Sequence, residues 1–221
     1  MNIAHSYITQ ESNHGKANQN KPKYIVIHDT GNTNPTADAD NHASWLNNSP
    51  NTGRSAHIYI DDHQAIQIIP FTTPAWHTGM LYVSKPKVPD CTNYNSIGIE
   101  FCINQGGNLT KTLSNTVNVV AQLMTQFNIP IENVITHQMA AGKECPGTFI
   151  KNPSLYNQFM QSLKQVTEEV DQEVANALAY LKKKGVTNTP NYWLNKIKEV
   201  AYLRELILNM ENALRQIEER K

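Results

Sequence analysis

Tyr24-Ile25-Val26-Ile27-His28 is the run that decides the fold. One aromatic and three β-branched residues follow closely on Pro22 and end in an imidazole. A short continuous apolar run of this kind reads as a strand buried on both faces, inside a sheet covered by helices. His28 then stands at the strand end, where sites on α/β sheets lie.

Working outward, Ser96 to Ile103 reads as a second strand. Ile97, Ile99, Phe101 and Ile103 alternate to one face, while Glu100 and Cys102 share the other. Ala56–Ile60 and Ala65–Ile69 form a hairpin across Asp61-Asp62-His63-Gln64. Asp38 to Leu46 reads as a helix with Ala39, His42, Ala43 and Leu46 on one side. Leu113, Val117, Val120, Met124 and Phe127 recur at helical spacing, and Pro130 stops that helix. Asn133 to Thr136 is a short strand, and Leu155, Phe159 and Leu163 mark a closing helix. The order β-α-β-β-β-α-β-α over residues 1–165 predicts an α/β fold, a central mixed β-sheet flanked by helices.

Composition shifts from Val166 onward, where cysteine and histidine disappear and Pro190 is the one proline. Val170, Val174, Ala177 or Leu178, and Leu181 make one amphipathic face, and Lys182-Lys183-Lys184-Gly185 closes that helix. Thr189-Pro190 starts another helix, with Thr189 as N-cap. Leu203, Ile207, Met210, Leu214 and Ile217 continue a helical stripe. Residues 166–221 are therefore expected to form a small all-α domain, for cell-wall binding or for a homo-oligomer.

The 221 residues carry 19 basic and 19 acidic side chains, which gives no sign of a nucleic-acid or anionic-membrane partner. No apolar run approaches the length of a membrane-spanning helix, so no membrane insertion is expected. The first residues lack the basic-then-apolar pattern of a signal peptide. The expectation is a protein made in the cytoplasm, with any export by another route. Three cysteines are too few for a disulfide framework, and a cytoplasmic start disfavours a Cys91–Cys102 bridge.

Thr136-His137-Gln138-Met139-Ala140-Ala141-Gly142-Lys143-Glu144-Cys145-Pro146-Gly147 reads as a loop carrying chemistry. With His28 it offers two imidazoles and a thiolate, a three-ligand zinc set that leaves a fourth position for water. Taken singly, each histidine is as readily a structural residue, and Cys145 a small buried hydrophobe. Glu100 suits a proton acceptor beside such a metal; a solvated glutamate is the plainer reading, weakened by Cys102 on the same face. Lys143 is either an exposed loop lysine or a cation for a tetrahedral oxyanion. Trp76-His77-Thr78-Gly79 could stack on a sugar or peptide, or trim the core. His57 alternates with the apolar residues of its strand and is expected to face the cleft of Glu100. Asn32, Asn34 and Asn95 could line a polar groove.

Five segments in order carry a resemblance. They are Tyr24 to Thr30, Ser55 to Asp62, Ala75 to Gly79, Ser96 to Glu100, and Thr136-His137 through Cys145-Pro146-Gly147. Together they resemble the type 2, zinc-dependent N-acetylmuramoyl-L-alanine amidases, the family of phage endolysins and peptidoglycan-recognition proteins. The resemblance covers about residues 20 to 165. It implies Zn2+ on His28, His137 and Cys145 and catalysis by Glu100 with Lys143; from the residues themselves, Trp76, His77 and His57 are expected to bind substrate. One branch carries a tyrosine just before the third-motif histidine; Ala56 stands there, so the proton falls to Glu100. The implied activity is hydrolysis of the amide between N-acetylmuramic acid and L-alanine, by zinc-activated water, in bacterial peptidoglycan. The missing signal peptide fits a phage lysin released with a holin, and equally an enzyme that recycles wall fragments in the cytoplasm; the helical segment behind the catalytic domain favours the lysin. A non-catalytic peptidoglycan-binding module, and an amidase with Cys145 as nucleophile beside His137, stay open as alternatives. Tyr192 and Trp193 are expected either to touch the wall or to pack between helices.

Overall fold

The computed structural model describes residues 1–79, 81–197 and 203–220, with the side chains of 170 and 195 left aside. Val170, counted on the amphipathic face above, is outside the described side chains.

In chain order the elements are β1 (Ile3–His5), β2 (Tyr24–Asp29), α1 (Ala39–Asn48), β3 (Ile58–Ile60), β4 (Ala65–Gln67), β5 (Ser96–Phe101), α2 (Leu109–Phe127), β6 (Val134–Thr136), α3 (His137–Ala141), α4 (Gly147–Lys151), α5 (Pro153–Lys183), α6 (Pro190–Lys196) and α7 (Leu203–Glu219). The strands make one sheet in the order β1-β4-β3-β5-β2-β6. The β3–β4 hairpin is antiparallel and the other pairs are parallel, so the sheet is mixed. As predicted, β2 is an interior strand, hydrogen-bonded to β5 on one side and β6 on the other.

Both faces of the sheet are covered. Ile25, Ile27, Ile97, Ile99 and Phe101 point to one face and pack with α2 and the start of α5. On the other face Tyr59, Ile66 and Cys102 pack with α1, and Val26 packs with Cys91, Ile135 and Ala140. Cys91 and Cys102 are free, in different clusters. The α2 helix is closed at both ends by asparagine. Asn108 accepts from the Lys111 N–H, and Asn128 takes the left-handed conformation at φ 54° two residues before Pro130.

Three elements differ from expectation. β1 is a short, mostly exposed edge strand of three residues, which periodicity does not reveal. The stretch after His137 is two short helices and a turn rather than one loop: Thr136 caps α3 and Gly142 (φ 80°) ends it. The closing helix and the first C-terminal helix are one, α5, of 31 residues. Between Pro153 and Gly185 no proline or glycine interrupts it. The helix changes partners instead. Phe159 and Leu163 join the main core, whereas Val174, Ala177, Leu178 and Leu181 pack with Ile197, Leu203 and Ile207. Lys184 and Gly185 (φ 74°) end it as the sequence suggests.

Thr189 makes no side-chain cap. The Trp193 indole N–H donates instead to Thr187 Oγ1 (2.9 Å), and the Trp193 ring meets Tyr192 edge-on. The α7 stripe is half used: Leu203 and Ile207 are buried, Met210 and Ile217 exposed. Among the described residues no helix is long and apolar enough to cross a membrane.

Candidate metal centre and its clefts

Strand register builds the site. Tyr59 of β3 is paired with Glu100 of β5, and Glu100 with His28 of β2. Ile27 is paired with Thr136 of β6, so one further step sets His137 beside His28. Neighbouring strands lie about 4.8 Å apart and paired residues face the same way. Tyr59, Glu100, His28 and His137 thus form a row across the carboxyl ends of four parallel strands. The His28 and His137 ring centroids are 4.6 Å apart.

Cys145 closes the row from above. Its Sγ lies 3.6 Å from His28 Nδ1. Its carbonyl accepts from the Gln138 N–H (2.9 Å), which folds the turn back onto α3. Asp29, the residue after His28, accepts from the Thr148 N–H and hydroxyl, both at 2.7 Å. This clamp anchors the start of α4 to the end of β2, and sequence reasoning missed it. An aspartate directly after a candidate ligand was the available signal.

One donor atom each from His28, His137 and Cys145 lie within 4.8 Å of one another, all three residues buried. Two features test the fit to a metal. First, both ring nitrogens of His137 are buried without a hydrogen-bond partner, an arrangement that is costly unless something else binds there. Second, the tautomer of His28 is dictated. Ser96 Oγ donates to the Thr92 carbonyl (2.5 Å), so it accepts from His77 Nε2 (3.1 Å). His77 Nδ1 is then left to accept from His28 Nε2 (3.2 Å). His28 Nδ1 therefore keeps its lone pair and faces Cys145. A ligating histidine that donates its other N–H in this way is the usual metal-site arrangement. Two imidazoles and a thiolate suit zinc. Burial holds all these imidazoles below their ordinary range; for His137, burial and then Lys143 bring the pKa to about 4. The rings are neutral at pH 7, as ligands must be.

His77 thus backs His28 through its Nδ1, and it also lines one of the grooves beside the site. Gly98 makes room for it, because a Cβ there would meet the ring at 2.7 Å. His57 corrects an expectation. It is wholly buried, its Nδ1 accepts from the Gly98 N–H (3.0 Å) and its Nε2 donates to the Thr73 carbonyl (3.0 Å). It holds backbone together behind His77 and does not reach the cleft.

Glu100 Oε2 is buried without a partner. Burial first, then the charge of Asp29, push its carboxyl well above the usual range, with Lys143 pulling the other way. Burial and then Glu100 also push the Cys145 thiol up. Lys143 is exposed, with its Nζ 6.0 Å from the Tyr82 ring centroid.

Two grooves meet here. One of about 510 Å³ is lined by Glu100, Tyr59, His42, Trp45 and polar residues including Asn32 and Asn34. The other, about 590 Å³, is lined by His137, His77, Lys143, Trp76 and Tyr82. Arg54 borders both. Asn95 lines neither; it is used in a turn with Thr92 and Asp90.

Residues 18–148 match the family described as N-acetylmuramoyl-L-alanine amidase. The chain is 44% identical over 131 residues to the N-acetylmuramoyl-L-alanine amidase CwlA of a Bacillus species, covering 57% of this chain and 47% of that one. It is 36% identical over 142 residues to CwlH of Bacillus subtilis, also an N-acetylmuramoyl-L-alanine amidase, covering 64% and 53%. The chain spans about half the length of the curated relatives it matches. The solved catalytic domain of XlyA superposes with a TM-score of 0.64 at 32% identity, over 74% of this chain and 99% of that one.

Proposed function

This chain belongs to the N-acetylmuramoyl-L-alanine amidase family, and from that premise we propose that it hydrolyses the amide between the lactyl group of N-acetylmuramic acid and L-alanine in bacterial peptidoglycan, with zinc as its metal. The observation that carries the reading is the row Glu100–His28–His137, with Cys145 completing three donor atoms within 4.8 Å of one another. When bound, zinc supplies a Lewis acid for the scissile carbonyl and the attacking water.

The chain's own residues do the rest. Glu100, whose proton affinity is raised by burial and Asp29, takes the proton of the water and returns it to the leaving amine. Lys143, beside Tyr82 at the groove wall, faces the oxyanion. His77 holds His28 in its ligating tautomer. A cysteine nucleophile is the weaker reading. Its thiol would need a lowered pKa, whereas burial raises that of Cys145, and the imidazole within hydrogen-bond reach of its Sγ is His28, while the His137 ring nitrogens have no hydrogen-bond partner. A purely binding module would leave the unpartnered, buried Glu100 Oε2 without a use.

We read the chain as an endolysin acting on the wall, with residues 166–221 a helical module for wall binding or self-association. Clearing of purified cell walls should stop when a strong chelator removes the metal and return on adding Zn2+. Clearing that survives complete metal removal, but not a thiol reagent, would favour the cysteine mechanism instead.

A further inference from the structure

Arg54 is the charged residue that borders both grooves. It is exposed, and its guanidinium makes no ion pair or side-chain hydrogen bond among the described residues. Its charge is felt by the Tyr59 phenol. The backbone beneath it is held firmly. Asn13, wholly buried, donates to the Leu46 and Ser49 carbonyls and accepts from the Thr52 N–H (3.0 Å). On the other side Ser55 and Trp76 exchange two hydrogen bonds, each 2.9 Å. A forked cation on a rigid mount, with no partner among the described residues, is arranged for a ligand.

The two grooves differ in charge, Arg54 being offset by Glu100 in one and joined by Lys143 in the other. The groove beside His137 and Lys143 has two cations and no carboxylate along its walls. The other holds Glu100, which repels an anion, among neutral amides, hydroxyls and the half-exposed Trp45. We infer that Arg54 determines specificity by gripping a free carboxylate of the stem peptide, on the residue after L-alanine, in the groove it shares with Lys143. The sugar side of the scissile amide then occupies the neutral groove, and the reacting bond lies at the junction. This rests on the amidase reading above.

The test uses soluble glycan strands whose stem peptides carry that carboxylate either free or converted to its amide. Wild-type protein should cleave the free form with a kcat/KM on the order of tenfold higher, mainly through KM, as one charge-assisted contact at a partly exposed site provides. In Arg54→Gln the ratio should fall to about one, and Arg54→Lys should lie between, since lysine keeps the charge but not the fork. A wild-type ratio of one, or a ratio unchanged in Arg54→Gln, would overturn the assignment. If wild-type protein cleaves neither strand, it is the amidase reading that fails, and the role of Arg54 falls with it.

Discussion

Replacing His77 by alanine should weaken metal binding without touching a ligand. In the folded protein His28 Nε2 donates to His77 Nδ1 at 3.2 Å, and His77 is itself oriented by Ser96 at 3.1 Å. Removing the acceptor leaves a buried N–H unsatisfied and frees His28 to place its proton on Nδ1, the nitrogen that faces Cys145. Loss of such an outer partner costs roughly 10- to 100-fold in metal affinity, or about 1.4 to 2.8 kcal/mol. His77→Asn, which keeps an acceptor oxygen near the position of Nδ1, should recover part of the loss. Gly98→Ala should act in the same direction from behind, because its Cβ would stand 2.7 Å from the His77 ring. Competition for Zn2+ against a chromophoric chelator measures the constants, and circular dichroism checks that each variant is folded. A folded His77→Ala protein that binds Zn2+ within twofold of wild type would refute the tautomer argument.

Other perturbations probe separate parts of the structure. Glu100→Gln should lower kcat by roughly 10²- to 10⁴-fold with zinc stoichiometry unchanged by metal analysis; lytic activity near wild type would remove Glu100 from catalysis. Acid should destabilise the fold through His57, whose pKa burial lowers from 6.5 to about 4. The unfolded chain takes up this proton as pH falls below about 6.5, while the folded chain resists until about 4. Stability should therefore be full above that window and decline through it, by up to about 3 kcal/mol from this residue. Urea unfolding at pH 8, 6 and 5 measures the slope, and His57→Gln should flatten it. Leu163→Ala should cost about 2–5 kcal/mol by thermal or urea unfolding, because Leu163 is fully buried where α5 meets the main core; a loss under 1 kcal/mol would mean that α5 is not integral to that core.

Much of this was legible in the sequence because the burial is periodic. The β2 run, the alternation in β5 and the α2 stripe each announce an element and the faces it hides. The candidate ligands were legible because His28 and His137 sit where apolar strand patterns stop, and Cys145 follows His137 closely in a segment punctuated by Gly142 and Pro146. What was missed is held by interactions without a period. The β1 strand needs only three paired residues at an edge. The short α3 depends on a Thr136 cap and a left-handed Gly142 rather than on an apolar stripe. Asp29 and His77 act through hydrogen bonds to residues distant in sequence, Thr148 for the first, Ser96 and His28 for the second. His57 was misassigned for a related reason. Alternation tells which face of a strand a residue is on, but not whether a loop such as the one carrying His77 covers that face.

The bond cut is the most direct point of contact with experiment. Mass spectrometry of a purified wall after digestion should show new peptides beginning at a free L-alanine amino group, with intact glycan strands, and far fewer of them with Glu100→Gln protein over the same time. Digestion that instead frees sugar reducing ends or other peptide termini, while the muramoyl–L-alanine amides stay whole, would contradict the proposed chemistry.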